Sequence, residues 1–495
     1  MSDYDFVENF QTLKLISCFR KKVGAIDVFP ITSGTSLLVN APSVFEEMPT
    51  LINNIFLVGA LPWEETFEPH LLYNIPNNEK RFDPVSSLCF PHKCRYGSRI
   101  IKSMRKFMQE TLMKPVEEKL EFFSLYLPQI EKAPHFFCCR FLGHALTIPT
   151  IFHDLTVSEL FENVQKGEMR VSDMCICIQS SFTNEEFFFS LIKWIFDCES
   201  VSRLSLSPYI DSFLDKNFAS EELSQAKWPE NHRMALRDMI DSIILKPIPE
   251  PGDNFLIDVL PFPKFSWGFP PYESIWNQSS VYCFGTFVNQ VDMKAYVLIM
   301  ASLCLEKTII LYSKSISTTT AIIRGFHYAL WPLQWVASSI SILPDVAKEA
   351  IESPTPMMIG LDRPVKDFSQ DHVYIDIDNH KIYGSAPRIP KSFDLSERLG
   401  GYWSKCNKQK TAEDIKKILE MTHLFIKDLI SPLRASIMTD YSSMDNVRSV
   451  FMKEIFLQLV PLDIRSFMNE MIDTQMMQFY IELQCQKISE QFSKN

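Results

Sequence analysis

Between Asp292 and Ile382 the sequence alternates helical and strand segments, and this alternation restricts the fold more than any other feature. Asp292–Leu305 has the length and apolar spacing of a helix, and Thr308–Ser313 (TIILYS) is a short continuous apolar strand. Ser317 or Thr318 is placed to cap a helix that runs to Leu330 and ends at Pro332. Trp335–Leu343 reads as a second strand. Asp345–Glu352 reads as a short helix stopped by Pro354, and Met357–Leu361 as a third strand. Val373–Ile382 then puts Val373, Ile375 and Ile377 on one face of a strand and Tyr374, Asp376 and Asp378 on a wet one. Strand–helix–strand repeats need right-handed crossovers, so the expectation is a mostly parallel sheet between helices.

The flanks read differently. Residues 1–50 form an N-terminal extension with weak strands at Leu13–Phe19, Val23–Phe29 and Ser36–Val39. Asn54–Leu61 (NIFLVGAL) and Val85–Phe90 are predicted strands, and Gly97 to about Leu112 has helical spacing, with Ile100, Met104, Phe107 and Met108 on one side. Phe136–Phe141 and Ala145–Ile151 bracket Leu142-Gly143-His144 as a hairpin. Met174–Ile178 (MCICI) is a buried strand. The helix after it, about Asn184–Asp197, carries Thr183 and Glu186 as a capping box and is apolar nearly all round. Residues 199–280 are irregular and proline-rich apart from a helix at about Glu230–Ile244, and Lys246–Gly252 (KPIPEPG) looks like a connection between domains. Thr411 to Asn495 is expected to be helical throughout. The fold class is therefore α/β: an α+β module at 51–198, a connector at 199–280, an α/β module at 281–395 and a helical subdomain at 396–495.

Composition removes whole classes of function. Only 14 of 495 residues are glycine, and neither GxGxxG nor GxxxxGK[ST] occurs, so a phosphate cradle of bare backbone amides is not expected. A net charge of -11 disfavours a general nucleic-acid role. The acidic start, MSDYDFVENF, lacks a signal-peptide pattern, and the 12 cysteines are scattered, several of them in apolar runs. The longest apolar stretch, Ala295–Leu305, is far short of the roughly 20 residues that span a bilayer. These features predict a cytoplasmic protein.

No motif asks for catalysis. There is no GxSxG, no HExxH and no SxxK with partner motifs, so no catalytic residue is expected. Cys89, His92 and Cys94 lie within six residues, but they contain no CxxC pair and no fourth ligand is evident. Cys175 and Cys177 share one face of a strand and read as core. Neither a metal nor a cofactor is expected. Asp376 and Asp378 read as the solvent face of an edge strand. The sharpest charge feature is His92–Lys106, which holds Lys93, Arg95, Arg99, Lys102, Arg105 and Lys106 with no acid. Arg99, Lys102 and Lys106 share a helix face at i, i+3, i+7, suited to an acidic protein surface, an anionic leaflet or plain solvation.

The order of several motifs resembles the DENN-domain family. NIFLVGAL, LLYNIP and LCFPH (Leu88–His92) resemble its upstream portion, and HFFCCRFLGH (His135–His144) is similar to the hairpin that follows. CICIQSSFTNEEFFFSLIKWIF resembles the strand and helix closing that module, and ILKPIPEPG (Ile244–Gly252) its connector. LCLEKTIILYSKSIS (Leu303–Ser317), SILPDVAKEAIESPTPMMIGL (Ser341–Leu361) and VYIDIDNHKI (Val373–Ile382) resemble the central portion. DTQMMQFYIE (Asp473–Glu482) is similar to a downstream helix.

The resemblance covers about residues 50–490. It implies a longin-like upstream module at 51–198, a central DENN module at 281–395 and a downstream subdomain at 396–495. It also implies a guanine-nucleotide exchange factor for a Rab-type GTPase, gripping the GTPase's switch regions between modules and peripheral on endomembranes; the basic stretch adds transient contact with an anionic membrane surface as an expectation. Two alternatives stand beside it. One is a longin–DENN scaffold or GTPase-activating subunit using Arg95, Arg99 or Arg140 as a finger; the other is an α/β hydrolase built on Asp376 or a histidine. Under the exchange reading the candidate GTPase-binding residues are Ser313, Lys314 and Ser315, at the end of a sheet strand, together with Arg99, Lys102 and Lys106.

Overall fold

A computed structural model describes residues 50–60, 67–75, 85–100, 120–127, 134–144, 168–205, 239–240, 243–244, 246–248, 250, 252–269, 272–366, 368–385, 387–440 and 448–493. The chain divides into two units, 1–275 and 276–495. The strands expected within residues 1–49 and at 145–151, most of the helix expected at 97–112, and Lys102 and Lys106 lie outside the described residues.

The first unit is built on an antiparallel sheet of β1 (Asn54–Gly59), β2 (His70–Ile75), β3 (Tyr96–Ile100), β4 (Glu121–Tyr126), β5 (His135–His144) and β6 (Glu168–Ser180), with a short helix α1 (Val85–Cys89) between β2 and β3. The order is β2-β1-β6-β5-β4, with β3 also paired to β6. The 13-residue β6 anchors the sheet, because β1, β3 and β5 all pair with it. Side chains alternate along these strands, so Leu57, Phe137, Cys139, Ile176 and Ile178 share one face. That face packs on Phe187, Phe188, Leu191 and Ile192 of α2 (Glu185–Ser205). Phe137 and Phe188 stack with ring centres 4.0 Å apart.

Helix α2 is apolar on its far side too, because it is covered twice. A hairpin of β7 (Asn254–Ile257) and β8 (Phe265–Gly268) sets Phe255, Phe265 and Trp267 against Phe187, and Trp194 Nε1 donates to the Pro263 carbonyl at 2.6 Å. The proline-rich stretch, expected to be irregular, thus contributes core. Lys246 and Pro247 also lie against the start of the sheet: Leu51 N donates to the Lys246 carbonyl, and Thr50 bridges Pro247.

Four local expectations are corrected here. Val85–Cys89 is a helix, not a strand. Tyr96–Ile100 is a strand, because its backbone pairs with Glu168–Ser172, and partners distant in sequence override helical spacing. Leu142-Gly143-His144 is no turn: β5 runs straight through it, paired with Val171–Asp173. The cap of α2 is Asn184, whose Oδ1 accepts from Phe187 N at 3.0 Å.

The second unit begins within α3 (Tyr272–Gln290) and continues through α4 (Met293–Cys304), β9 (Ile309–Tyr312), α5 (Ile316–Ala329), β10 (Ser338–Ile340), a 3-10 segment (Asp345–Glu352), β11 (Met357–Leu361), β12 (Val373–Asp376) and β13 (Lys381–Gly384). The sheet order is β10-β11-β9-β12-β13; the first four strands are parallel, and β13 is an antiparallel edge. The expected alternation of strands and crossovers is present. Ser315, rather than Ser317 or Thr318, caps α5, accepting from Thr318 N. The strand expected at Val373–Ile382 is shorter and bends into a hairpin. Of its expected wet face only Asp378 is exposed: Tyr374 and Asp376 are buried, and Tyr374 packs under Leu343, Ile351 and Phe368 on that side of the sheet. Ile309, Leu311, Met358 and Ile375 face one core with the helices, while Ile310, Tyr312, Ile359 and Tyr374 face a second with Leu343, Ile351 and Phe368. Gly360 of β11 explains the close seating of α5: an added Cβ would sit 2.6 Å from Thr319 Cγ2 and 2.1 Å from the Ser341 carbonyl oxygen.

The rest is α6 (Leu395–Trp403), α7 (Ala412–Ile430), a 3-10 turn, the hairpin β14 (Ile437–Asp440) and β15 (Arg448–Phe451), then α8 (Lys453–Leu459), α9 (Arg465–Ile472) and α10 (Gln475–Ser493). The hairpin corrects the expectation of continuous helix. Buried residues of α7, α9 and α10 share one core with the parallel sheet. Glu306 fastens that arrangement. It sits at φ +46° just past α4, and its two carboxylate oxygens accept from Gln475 N and Met476 N, each at 2.7 Å, at the start of α10. A carboxylate at a helix N-terminus satisfies donors that have no partner within the helix and meets the positive end of its dipole.

Glu306→Ala leaves both amides without that acceptor. The expected loss is about 2–3 kcal/mol of stability in chemical denaturation, with Glu306→Gln in between, since its one oxygen replaces two. A pH dependence is also built in. Buried His423 donates from Nε2 to the Tyr328 carbonyl (2.8 Å), and burial, opposed by that hydrogen bond and by Glu420 and helped by Lys427, lowers its pKa to about 4. A group whose folded pKa lies below its unfolded value of about 6.5 gives full stability above that value and loses it as pH falls toward 4. His423→Gln is expected to flatten the stability profile between about pH 6.5 and 4, measured by urea unfolding across that range.

Candidate functional site

The chain leaves β9 toward α5 on one side and leaves β12 toward β13 on the other, so the carboxyl ends of these neighbouring strands diverge. In open α/β sheets such a switch point is where ligands gather. Here it is filled by the protein's own groups. Ser313 Oγ donates to Asp378 Oδ1 at 2.9 Å, and Lys314 N donates to Asp378 Oδ2 at 3.1 Å. Asp376 accepts from the backbone N and the Nδ2 of Asn379 at 3.0 and 2.9 Å. Thr319 Oγ1 lies 3.1 Å from the Ser315 carbonyl and 3.4 Å from that of Leu361, which ties the start of α5 to β11. Burial, with Asp378, Asp376 and Asp362 adding negative charge, pushes the Tyr312 phenol above its ordinary pKa.

Both aspartates are therefore hydrogen-bonded to the turns of the chain, Asp376 from the end of β12 and Asp378 from within the turn that follows. They do not share a strand face, since Asp378 follows β12 in the turn before β13. Of the three candidates at this corner, Ser313 is buried, Ser315 is the half-buried helix cap, and Lys314 meets solvent. Asp378, which clamps the corner, was not among the residues the sequence marked for binding; no short motif signals its contact with Ser313, 65 residues away.

The other candidates separate. Arg99 is in β3, paired with Met169, so it does not join Lys102 and Lys106 on a described helix face. Arg95 N and Nε both donate to Asp173 Oδ2, at 2.9 and 2.8 Å. Arg140 is held against the sheet, its Nε donating to the Cys89 carbonyl and its guanidinium over the rings of Phe90 and Phe123. Cys89, His92 and Cys94 do not converge: the Cys89 thiol turns inward to Cys138 and Cys177, whereas burial, with the Asp173 charge adding to it, pushes the Cys94 thiol up to about 12. No described helix is long and apolar enough to cross a membrane.

Comparison with known proteins agrees with the motifs. Residues 171–380, from within β6 to the turn after β12, match the family model of the DENN (AEX-3) domain, in line with the resemblance of the motifs inside that span. The motifs at 54–61, 88–92, 135–144 and 473–482 lie outside that span. Over 246 residues the chain is 22% identical to the DENN domain and WD repeat-containing protein SCD1 of Arabidopsis thaliana, which covers 48% of this chain and 18% of that protein. Over 86 residues it is 31% identical to Myotubularin-related protein 5 of Caenorhabditis elegans, covering 17% of this chain and 5% of that protein. The chain thus spans less than a fifth of either relative. DENN domains generally engage small GTPases.

The clamp is separable from the exposed lysine. Asp378→Ala is expected to lower stability by about 1–2 kcal/mol, because the Ser313 hydroxyl and the Lys314 amide lose their acceptor. Lys314→Glu is expected to stay within about 0.5 kcal/mol of the parent in the same unfolding assay.

Proposed function

We propose that this chain is a guanine-nucleotide exchange factor for a small GTPase of the Rab type, acting in the cytoplasm and transiently at endomembranes. The observation that carries the reading is the DENN match over residues 171–380. The corner of the parallel sheet agrees with it: the carboxylates there are engaged in turns, and exchange requires no proton transfer or nucleophile. The work is done by differential binding. A protein that holds the nucleotide-free GTPase more tightly than the GDP form loosens GDP by the same factor, and a thousandfold effect corresponds to about 4 kcal/mol. Contacts to the switch segments, which hold the magnesium ion and the phosphates, are the natural source of that difference.

Lys314 is the proposed contact residue at the β9–α5 corner, presented by a backbone that Asp378 fixes. Of the arginines the GTPase-activating alternative could use, Arg99 apart, Arg140 is held by the Cys89 carbonyl and Arg95 is paired with Asp173, whereas an arginine finger must be free to reach a nucleotide.

The test is release of fluorescent GDP from a panel of Rab GTPases at micromolar exchanger. Catalytic acceleration of one or two members is expected, with Lys314→Glu lowering kcat/KM by about tenfold, about 1.4 kcal/mol. No acceleration on any member by a folded sample would overturn the proposal.

A further inference from the structure

The face of the first sheet opposite α2 carries four thiols. Cys175 and Cys177 lie two apart on β6, Cys138 is the cross-strand partner of Cys177 on β5, and Cys89 is the last residue of α1. All four are completely buried. Cys89 Sγ is 3.3 Å from Cys177 Sγ and 4.0 Å from Cys138 Sγ, and Cys175 Sγ is 3.6 Å from Cys177 Sγ. All four sulfur atoms lie within 4.8 Å of one another.

From these contacts we propose that Cys89, Cys138, Cys175 and Cys177 bind one zinc ion as a closed tetrathiolate site. Four sulfurs at about 2.3 Å from a tetrahedral zinc stand about 3.8 Å from each other, and the three separations bracket that value. Thiols that merely fill a core need not be mutual neighbours in every pair, and these are. The group is too compact to enclose an iron–sulfur cluster. Their sulfurs are also well beyond disulfide bonding distance, about 2.05 Å.

Two neighbouring features suit the charge and role of such a centre. Zinc with four thiolates carries a net charge of about −2. Arg140, itself on β5 and near Glu121, donates from Nε to the Cys89 carbonyl, so a cation is fixed on the backbone of one ligand. With four protein ligands and no open position, the site is structural, not catalytic. It also accounts for α1: a five-residue helix has little stability of its own, and the metal would tie its end to β5 and β6. The sequence hid this set, because the ligands come from three segments and the local grouping of Cys89 with His92 and Cys94 points to the wrong partners for Cys89.

The test is metal analysis of the purified, desalted full chain. One zinc per chain is expected. Cys177→Ser and Cys89→Ser should lose it, whereas Cys139→Ser, on the opposite face of β5, should keep it. Should the serine variants fail to fold, cobalt loading of the reduced parent chain decides: one equivalent must give thiolate-to-cobalt charge transfer and the d–d bands of a tetrahedral tetrathiolate. Zinc well below one per chain together with no cobalt bands would overturn the proposal. So would iron in place of zinc, disulfides among the four cysteines, or full zinc retention in folded Cys177→Ser.

Discussion

One carboxylate joins parts of the second unit that are 169 and 170 residues apart. Glu306 leaves the end of α4 at a positive φ, just before β9, and accepts the first two amides of α10. The parallel sheet, the helices on its first face and the terminal helices share one apolar core, but apolar contact is not directional. Glu306 supplies direction, fixing where α10 starts relative to β9. Burial raises its carboxyl above the ordinary value, and the two amides oppose that rise. Where solvation is poor, the amides of the helix end take the place of the lost water.

With the frame fixed, the carboxyl ends of β9, β11 and β12 come to one corner, and its chemistry is inward-looking. Asp378 and Asp376 hold turns, Ser313 turns its hydroxyl to Asp378, and Ser315 begins α5. The hydrogen-bonded turns of this corner leave Lys314 presented to solvent. A surface of this kind suits a protein that acts by recognising another protein, where shape and a few charges set specificity and energy comes from differential binding.

Much of this was legible in the sequence, and the failures have one cause. Asn54–Gly59, Ile309–Tyr312 and Met357–Leu361 announce themselves as strands because they are short, apolar and bounded by turn residues. The helix at Ile316–Ala329 is equally plain. Tyr96–Ile100 misleads because its helical spacing is local, whereas the partner that makes it a strand lies some 70 residues further on. Leu142–His144 contains glycine yet stays extended because β6 continues alongside it. Tyr374 reads as wet because alternation alone cannot say that Leu343, Ile351 and Phe368 will cover that face. The clamp of Asp378 on Ser313 and the convergence of four cysteines belong to the same class: contacts between distant segments that leave no mark on local pattern.

On the exchange function proposed above, the chain works by preferring one state of a small GTPase over another. The most direct measurement is its affinity for a responsive GTPase in two forms, nucleotide-free and GDP-bound, by calorimetry or interferometry at fixed salt. The account predicts tighter binding of the nucleotide-free form by about a thousandfold, about 4 kcal/mol, with GDP weakening the complex by the same factor. Equal affinity for the two forms would contradict it, because a ligand that binds both states alike shifts nothing.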